Sequence, residues 1–199
     1  MNKFSIAAAL TSLLFSTSAF ADKLSLAQLS EYLNKMATAQ SSFHQINADG
    51  SRDTGDIYIQ RPGRIRFEYD PPNGAVVVAG GGAVVIYDPK SNQGPESYPL
   101  NRTPLSVILA DHIDLGRDSM VVDHRGDEVS TVLTAQDPDN PDAGRIDLVF
   151  APDPVRLAQW VITDSYGGQT IVVLEGLAET GKLSDLLFNP QIVGESPGR

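Results

Sequence analysis

The residues able to do chemistry in this chain are few and poorly grouped. Three histidines, His44, His112 and His124, stand apart, and none has a second histidine at a metal-ligand spacing. The chain has no cysteine. That removes thiolate-held zinc or iron–sulfur centres, a thiol nucleophile, a disulfide scaffold and acylation of an N-terminal cysteine. A serine hydrolase wants its nucleophile on a tight strand-to-helix turn within G-x-S-x-G. That string occurs as Gly194-Glu195-Ser196-Pro197-Gly198, in a Pro- and Gly-rich tail rather than between strand and helix patterns. A hydrolase built from Ser106, Ser119 and His112 would therefore have to be assembled by the fold alone. Gly80-Gly81-Gly82 has the composition of a phosphate cradle, but a strand pattern, Ala83-Val84-Val85-Ile86-Tyr87, follows it. A cradle needs a helix there, because the helix N-terminus holds the anion. Asp137-Pro138-Asp139-Asn140-Pro141-Asp142 is dense in oxygen ligands. It has Asp142 where a calcium loop needs glycine, which leaves a weak calcium site and a solvated acidic loop as its two readings. No paired carboxylates stand out as an acid/base couple. No cofactor is expected.

A net charge of −10 argues against a nucleic-acid partner, which needs a basic surface. With 41% apolar and 20% charged residues the composition is that of a globular protein. Residues 1–21 have the form of a signal peptide: Lys3, an apolar run over 4–15, and Ala19-Phe20-Ala21 as a cleavage site. The run is shorter than the ~20 residues a membrane span needs. The expectation is therefore an exported, periplasmic protein whose mature chain begins at Asp22, with a membrane anchor as the alternative. Residues 22–199 are expected to form one domain, with a loose tail from about 191.

The elements that must position any site are mostly strands. Residues 25–40 predict an amphipathic helix, with Leu26, Leu29, Leu33 and Met36 on one stripe and Ser25 with Gln28 as a capping box. The period then changes to two. Ile57 and Ile59 alternate with polar neighbours. Ile65, Phe67 and Tyr69 alternate with Arg64, Arg66 and Glu68, which predicts a half-buried strand. Segments 76–79 and 83–87 predict a hairpin around the three glycines. Thr103-Pro104 predicts a second helix start, with threonine as cap ahead of Leu105, Ile108 and Leu109. Strands are expected at 120–123, 128–134, 145–150, 155–163 and 169–174. Their spacing of roughly ten residues is that of an antiparallel sheet or barrel. One-sided strands need a cover, and two amphipathic helices are available to provide it.

The order of several short pieces carries a resemblance. Phe43 and Gln45 follow the first helix, then come Gln60-Arg61-Pro62-Gly63-Arg64-Ile65-Arg66-Phe67-Glu68-Tyr69, Pro71, a glycine hairpin, Tyr87-Asp88-Pro89 and Thr103-Pro104-Leu105. This set resembles the periplasmic outer-membrane lipoprotein carrier (LolA) family over residues 24–190. The chain differs from the family pattern in having Ala79-Gly80-Gly81-Gly82 at the hairpin, Trp160 as its single tryptophan, and a partial match at Phe188-Asn189-Pro190-Gln191. The resemblance implies a mainly β (α+β) fold, an incomplete, strongly curved antiparallel β-barrel with helices covering its open mouth. It implies a carrier rather than an enzyme, a monomer that binds the acyl chains of lipoproteins in a hydrophobic cavity. Its partners would be acylated lipoproteins, an inner-membrane ABC-type release complex and an outer-membrane receptor. By the same match Arg61 would latch the lid helices, Ile65, Phe67 and Tyr69 would face the cavity, and Leu105 and Ile108 would lie on the lid. Leu29, Leu33, Met36 and Val85 complete the expected acyl-binding set. From the residues alone Ile65 and Phe67 read first as ordinary core, and Arg61 as a strand-end surface charge. A related half-barrel that senses or shuttles another amphiphile, and an exported hydrolase, are the competing functions.

Overall fold

A computed structural model describes residues 23–192. The expected signal peptide and the tail beyond residue 192 lie outside the described residues. Helix α1 (Leu26–Lys35) precedes six strands, β1 (Thr38–Ile46), β2 (Arg52–Gln60), β3 (Ile65–Tyr69), β4 (Val76–Gly80), β5 (Ala83–Tyr87) and β6 (Glu96–Pro99). A one-turn helix, α2 (Ser106–Leu109), leads to β7 (Val121–Gly126), β8 (Thr131–Gln136), β9 (Gly144–Pro152), β10 (Val155–Asp164) and β11 (Gln169–Leu174). A short β12 (Ala178–Glu179) closes the series. All pairings are antiparallel, in the order β6-β5-β4-β3-β2-β1-β11-β10-β9-β8-β7, with β12 beside β1. The sheet is not closed: β6 and β7 are its two ends.

Curvature follows from the side chains that meet. Phe67 on β3 and Trp160 on β10 are four strands apart in the sheet, yet their rings pack edge to face at 5.7 Å. Flat strands at about 4.8 Å spacing would hold them nearly 20 Å apart. Phe43 on β1 stacks inside the curve, 5.8 Å from Phe67 and 5.2 Å from Tyr69. Its ring passes over Gly55 on β2, where a Cβ would lie 3.0 Å from the ring and 2.1 Å from the Glu68 carbonyl oxygen. α1 lays Leu29 and Leu33 into the same core, and Tyr32 meets Phe150 edge to face at 6.1 Å. The capping box is formed as expected, with Ser25 N–H donating to Gln28 Oε1 (2.9 Å) and Gln28 N–H to Ser25 Oγ (3.3 Å). The hairpin is also as expected: Gly80 pairs with Ala83 and the two loop residues, Gly81 and Gly82, both have positive φ.

Five expectations are corrected. α1 stops at Lys35 with Met36 as its cap, and residues 38–46 form a strand. Ala37-Thr38-Ala39-Gln40 suits either state, and nine register pairs with β2 decide for the strand. α2 is a single turn whose cap is Leu105; the Thr103 hydroxyl donates instead to the Leu100 carbonyl (2.8 Å). The eighth strand starts at Thr131, because the Asp127 carboxylate accepts the Val129 and Ser130 N–H groups and makes residues 127–130 a turn. β6 carried no periodic signal and was not expected. β3 is buried on both faces. Arg66 is only 3% exposed, because the segment 183–188 covers the outer face. Arg66 donates to Leu187 O (3.2 Å), and Arg64 pairs with Asp185 (2.8 Å). The third glycine of the hairpin serves this packing, since a Cβ on Gly80 would lie 2.1 Å from the Phe188 carbonyl oxygen.

Candidate functional site

The concave face of the sheet is apolar along β3, β4, β5, β9, β10 and β11, and it does not fill completely. A cavity of about 560 Å³ remains between its two halves. One wall is Phe67 and Tyr69 of β3, Val77 of β4, and Val84 and Ile86 of β5. The facing wall is Ile146 of β9, Trp160 and Ile162 of β10, and Val172 of β11. Leu105 and Pro104 cover it from the α2 side. The rim is polar, with Tyr98, Arg102 and Thr103 on one margin and Asp137, Arg145 and Asp164 on the other. An apolar interior with a polar rim is the arrangement of a site for an amphiphile.

Of the expected acyl-binding residues, Phe67, Tyr69 and Leu105 line this cavity. Leu29, Leu33, Ile65 and Ile108 are buried in the adjoining core and do not line it. Met36 sits half-buried at the α1 cap, away from the cavity. Val85 is corrected. It lies between the cavity residues Val84 and Ile86 and therefore points to the opposite face. β5 is apolar on both faces, so its own alternation could not select one; its register against β4, with Ile86 opposite Val77, does. Trp160, Val84, Ile86 and Ile146 were missed, although Trp160 and Ile162 do share one face of the strand expected at 155–163.

The helical cover is fastened by Arg61, at the turn between β2 and β3. Its Nη2 donates to the Leu33 (2.7 Å) and Asn34 (2.9 Å) carbonyls, and its Nη1 to the Ala110 carbonyl and Asn34 Oδ1 (both 3.3 Å). Leu33 and Asn34 lie in the last turn of α1, where the dipole favours a cation; the Leu33 carbonyl also accepts the Met36 N–H (3.1 Å). Burial lowers the guanidinium pKa, the nearby Asp111 charge opposes that, and the group stays charged. The turn's backbone joins in, with Arg61 N–H donating to Ala37 O and Gly63 N–H to Leu109 O (both 2.8 Å). Sequence reasoning missed two companions. Asn34 donates to Ile113 O (2.9 Å) and accepts Ile113 N–H (3.0 Å), and Ser30 Oγ accepts Leu115 N–H (3.1 Å). On an amphipathic helix such residues look like ordinary solvated positions. α1 and residues 110–115 are thus joined by side-chain-to-backbone hydrogen bonds.

A polar partition bounds the cavity at Gln45, which is nearly buried. Tyr69 Oη donates to Gln45 Oε1 (2.8 Å), and Gln45 Nε2 donates to Asn47 Oδ1 (2.6 Å). Burial and the Asp53 charge push the Tyr69 hydroxyl up to about 12. Behind Gln45 lies a separate surface cleft of about 390 Å³, lined by His44, Arg52, Asp53, Asp70 and Glu175 among others. His44 is 3.6 Å from Glu175, and His124 Nε2 is 2.8 Å from the Leu24 carbonyl oxygen. Ser106 Oγ meets Met120 Sδ (3.2 Å) rather than an imidazole. Asp137 and Asp139 face Arg102 at 3.6 and 2.7 Å. Among the described residues no group of three or more His, Asp or Glu side chains is placed to hold a metal ion. None of their helices is long and apolar enough to cross a membrane.

Comparison with known proteins gives this geometry its relatives. Residues 34–191 match the family model described as outer membrane lipoprotein carrier protein LolA. An outer-membrane lipoprotein carrier protein of Methylococcus capsulatus is 25% identical over 169 residues, 81% of this chain and 80% of that one. The same-named protein of Coxiella burnetii is 32% identical over 96 residues, 44% of this chain; the match spans 46%, about half, of the Coxiella protein. The crystal structure of a LolA superfamily protein from Nitrosomonas europaea aligns at 10% identity with a TM-score of 0.44, covering 83% of this chain and 98% of that one. The family match runs from the end of α1 through the C-terminal segment and takes in both walls of the cavity. The chain belongs to the outer membrane lipoprotein carrier protein LolA family.

Proposed function

We propose that this protein is a periplasmic carrier that shields the acyl chains of lipoproteins in the cavity beneath its helical cover. It would receive them from an inner-membrane ABC-type release complex and pass them, as a monomer, to an outer-membrane receptor. The observation that carries this reading is an unfilled apolar cavity inside a curved sheet, roofed by a segment fastened through hydrogen bonds. Export by a cleaved signal peptide fits the character of residues 1–21. The bound chains undergo no reaction in this reading, and the protein is not an enzyme.

The magnitudes suit transfer. Each buried CH₂ contributes ~0.8 kcal/mol, so one sixteen-carbon chain contributes on the order of 12 kcal/mol. Three chains held that well would leave too slowly to be handed on. A space of about 560 Å³ is in the range that holds one drug-sized ligand, so several chains require the walls to part. Parting the walls disrupts the lid's own contacts, which offsets affinity and favours release. Phe67→Leu should weaken capture of an acylated lipoprotein, with folding checked by circular dichroism, since Phe67 lines the cavity and also packs on Phe43 and Trp160.

The test is release of a newly acylated lipoprotein from spheroplasts by the purified mature protein. The expected result is soluble lipoprotein in complex with the carrier, and no complex with an unacylated version. Equal binding of both versions would contradict acyl-chain capture. Stronger exchange with free fatty acids or phospholipids than with lipoproteins would move the reading to another amphiphile.

A further inference from the structure

Gln45 borders two spaces at once, the apolar cavity on one side and the polar surface cleft on the other. A chain of side-chain hydrogen bonds runs through it, and the direction of each bond is fixed from the cleft end. The Asp53 carboxylate, in the cleft wall, can only accept, so Asn47 turns its Nδ2 to it (2.6 Å). A second branch agrees: Asn47 Nδ2 also donates to Ser51 Oγ (2.9 Å), whose own proton goes to Asp49 Oδ1 (2.6 Å). Asn47 Oδ1 then faces Gln45 and accepts its Nε2–H (2.6 Å), which leaves Gln45 Oε1 to accept the Tyr69 hydroxyl (2.8 Å). Burial and the Asp53 charge keep that proton on Tyr69. Every donor therefore points towards the cleft. What the chain presents at its cavity end is a lone pair on Tyr69 Oη, on a ring held edge to face against Phe43 at 5.2 Å.

Resting on the carrier reading, we propose that Tyr69 Oη, oriented by Gln45, is a polar subsite that accepts the N–H of an amide-linked acyl chain, so that the cavity prefers N-acylated cargo to esters and free fatty acids. Phe67, Val77, Trp160 and Val172 offer apolar surface to any hydrocarbon and do not sense how it is attached. Tyr69 Oη does. A secondary amide brings a donor without bringing a charge. An ester brings acceptors only and leaves the Oη lone pair facing hydrocarbon, the loss incurred whenever a site built for a donor receives an analogue lacking one. A fatty-acid carboxylate sets its own lone pairs against Oη and adds its charge to the field of Asp53. The second Nε2–H of Gln45 suits an ester or an amide carbonyl alike, so it does not discriminate between them.

The test uses sixteen-carbon probes brominated in the chain: an N-methylamide, an N,N-dimethylamide that keeps the carbonyl but has no N–H, and a methyl ester. Binding to the purified mature protein is read by quenching of Trp160, the single tryptophan and a cavity residue. The N-methylamide is expected to bind about fivefold tighter than either of the other two. A Gln45→Leu, Tyr69→Phe protein, its folding checked by circular dichroism, has apolar side chains in place of both groups and should bind all of the probes within about twofold of one another. Equal affinities of the unaltered protein for the N-methylamide and the other probes would overturn the subsite while leaving the carrier reading standing. So would a preference that persists undiminished in the doubly substituted protein. If no probe quenches Trp160 at any concentration, the carrier reading fails, and the subsite with it.

Discussion

Two arginines bind segments far from them in sequence, and they do so differently. Arg61 aims its fork at the Leu33 and Asn34 carbonyls in the last turn of α1 and at the Ala110 carbonyl, a part-buried set of bonds. Arg102 reaches across the cavity rim to the exposed Asp139 carboxylate and to Asp137, which is 5% exposed. The first set joins a planar fork to neutral acceptors on two separate segments, and the second is an ion pair that salt screens on its exposed side.

The largest effect that tests this contrast is Arg61→Ala. It should lower unfolding free energy by about 2–3 kcal/mol in urea titration, as several charge-assisted bonds to semi-buried carbonyls are lost together. Arg61→Lys should recover only part of this, because an ammonium lacks the planar fork. Asn34→Ala should cost about 1–2 kcal/mol by the same measurement, for the reciprocal pair with Ile113. Equal stability of Asn34→Ala and the unaltered protein would mean that segment 110–115 is not fixed to α1.

Tyr69, on the cavity wall away from both fastenings, gives a smaller and pH-dependent effect. Its folded pKa is raised from 10.0 to about 12, so the folded state keeps a proton that the unfolded chain releases. The stability this contributes is fully present below pH 10 and is lost as the pH rises from 10 towards about 12. Tyr69→Phe should flatten the fall in melting temperature across that window. Arg102→Ala is expected to cost less than Arg61→Ala, about 0.5–1 kcal/mol in urea titration, chiefly because Asp137, only 5% exposed, loses its cation. A drop as large as that of Arg61→Ala would make Arg102 a structural pin like Arg61.

What the sequence disclosed follows the range of the interactions. The capping box and the glycine hairpin are local and each is present as expected; the Ile65-Phe67-Tyr69 strand forms too, but with its outer face covered as well. The family resemblance, borne by ordered short pieces, is shown by the match over residues 34–191. Where two local readings were equally good, tertiary structure chose between them. Residues 38–40 joined a strand because β2 offered a partner, and Val85 turned outward because β4 set the register. The cavity itself was illegible, since Phe67 and Ile65 look alike in a strand pattern, yet one borders empty space and the other is packed on all sides. Arg102 and Asp139 lie 37 residues apart, and no spacing rule links them.

The central claim is that the space beside Trp160 receives hydrocarbon from another molecule. It is tested most directly by titrating the mature protein with an acylated lipoprotein and with its unacylated counterpart while following Trp160 emission. The acylated form should change the emission saturably, with one equivalent bound per chain, and the unacylated form should leave it unchanged. Identical responses to the two forms, or none to either, would contradict the account.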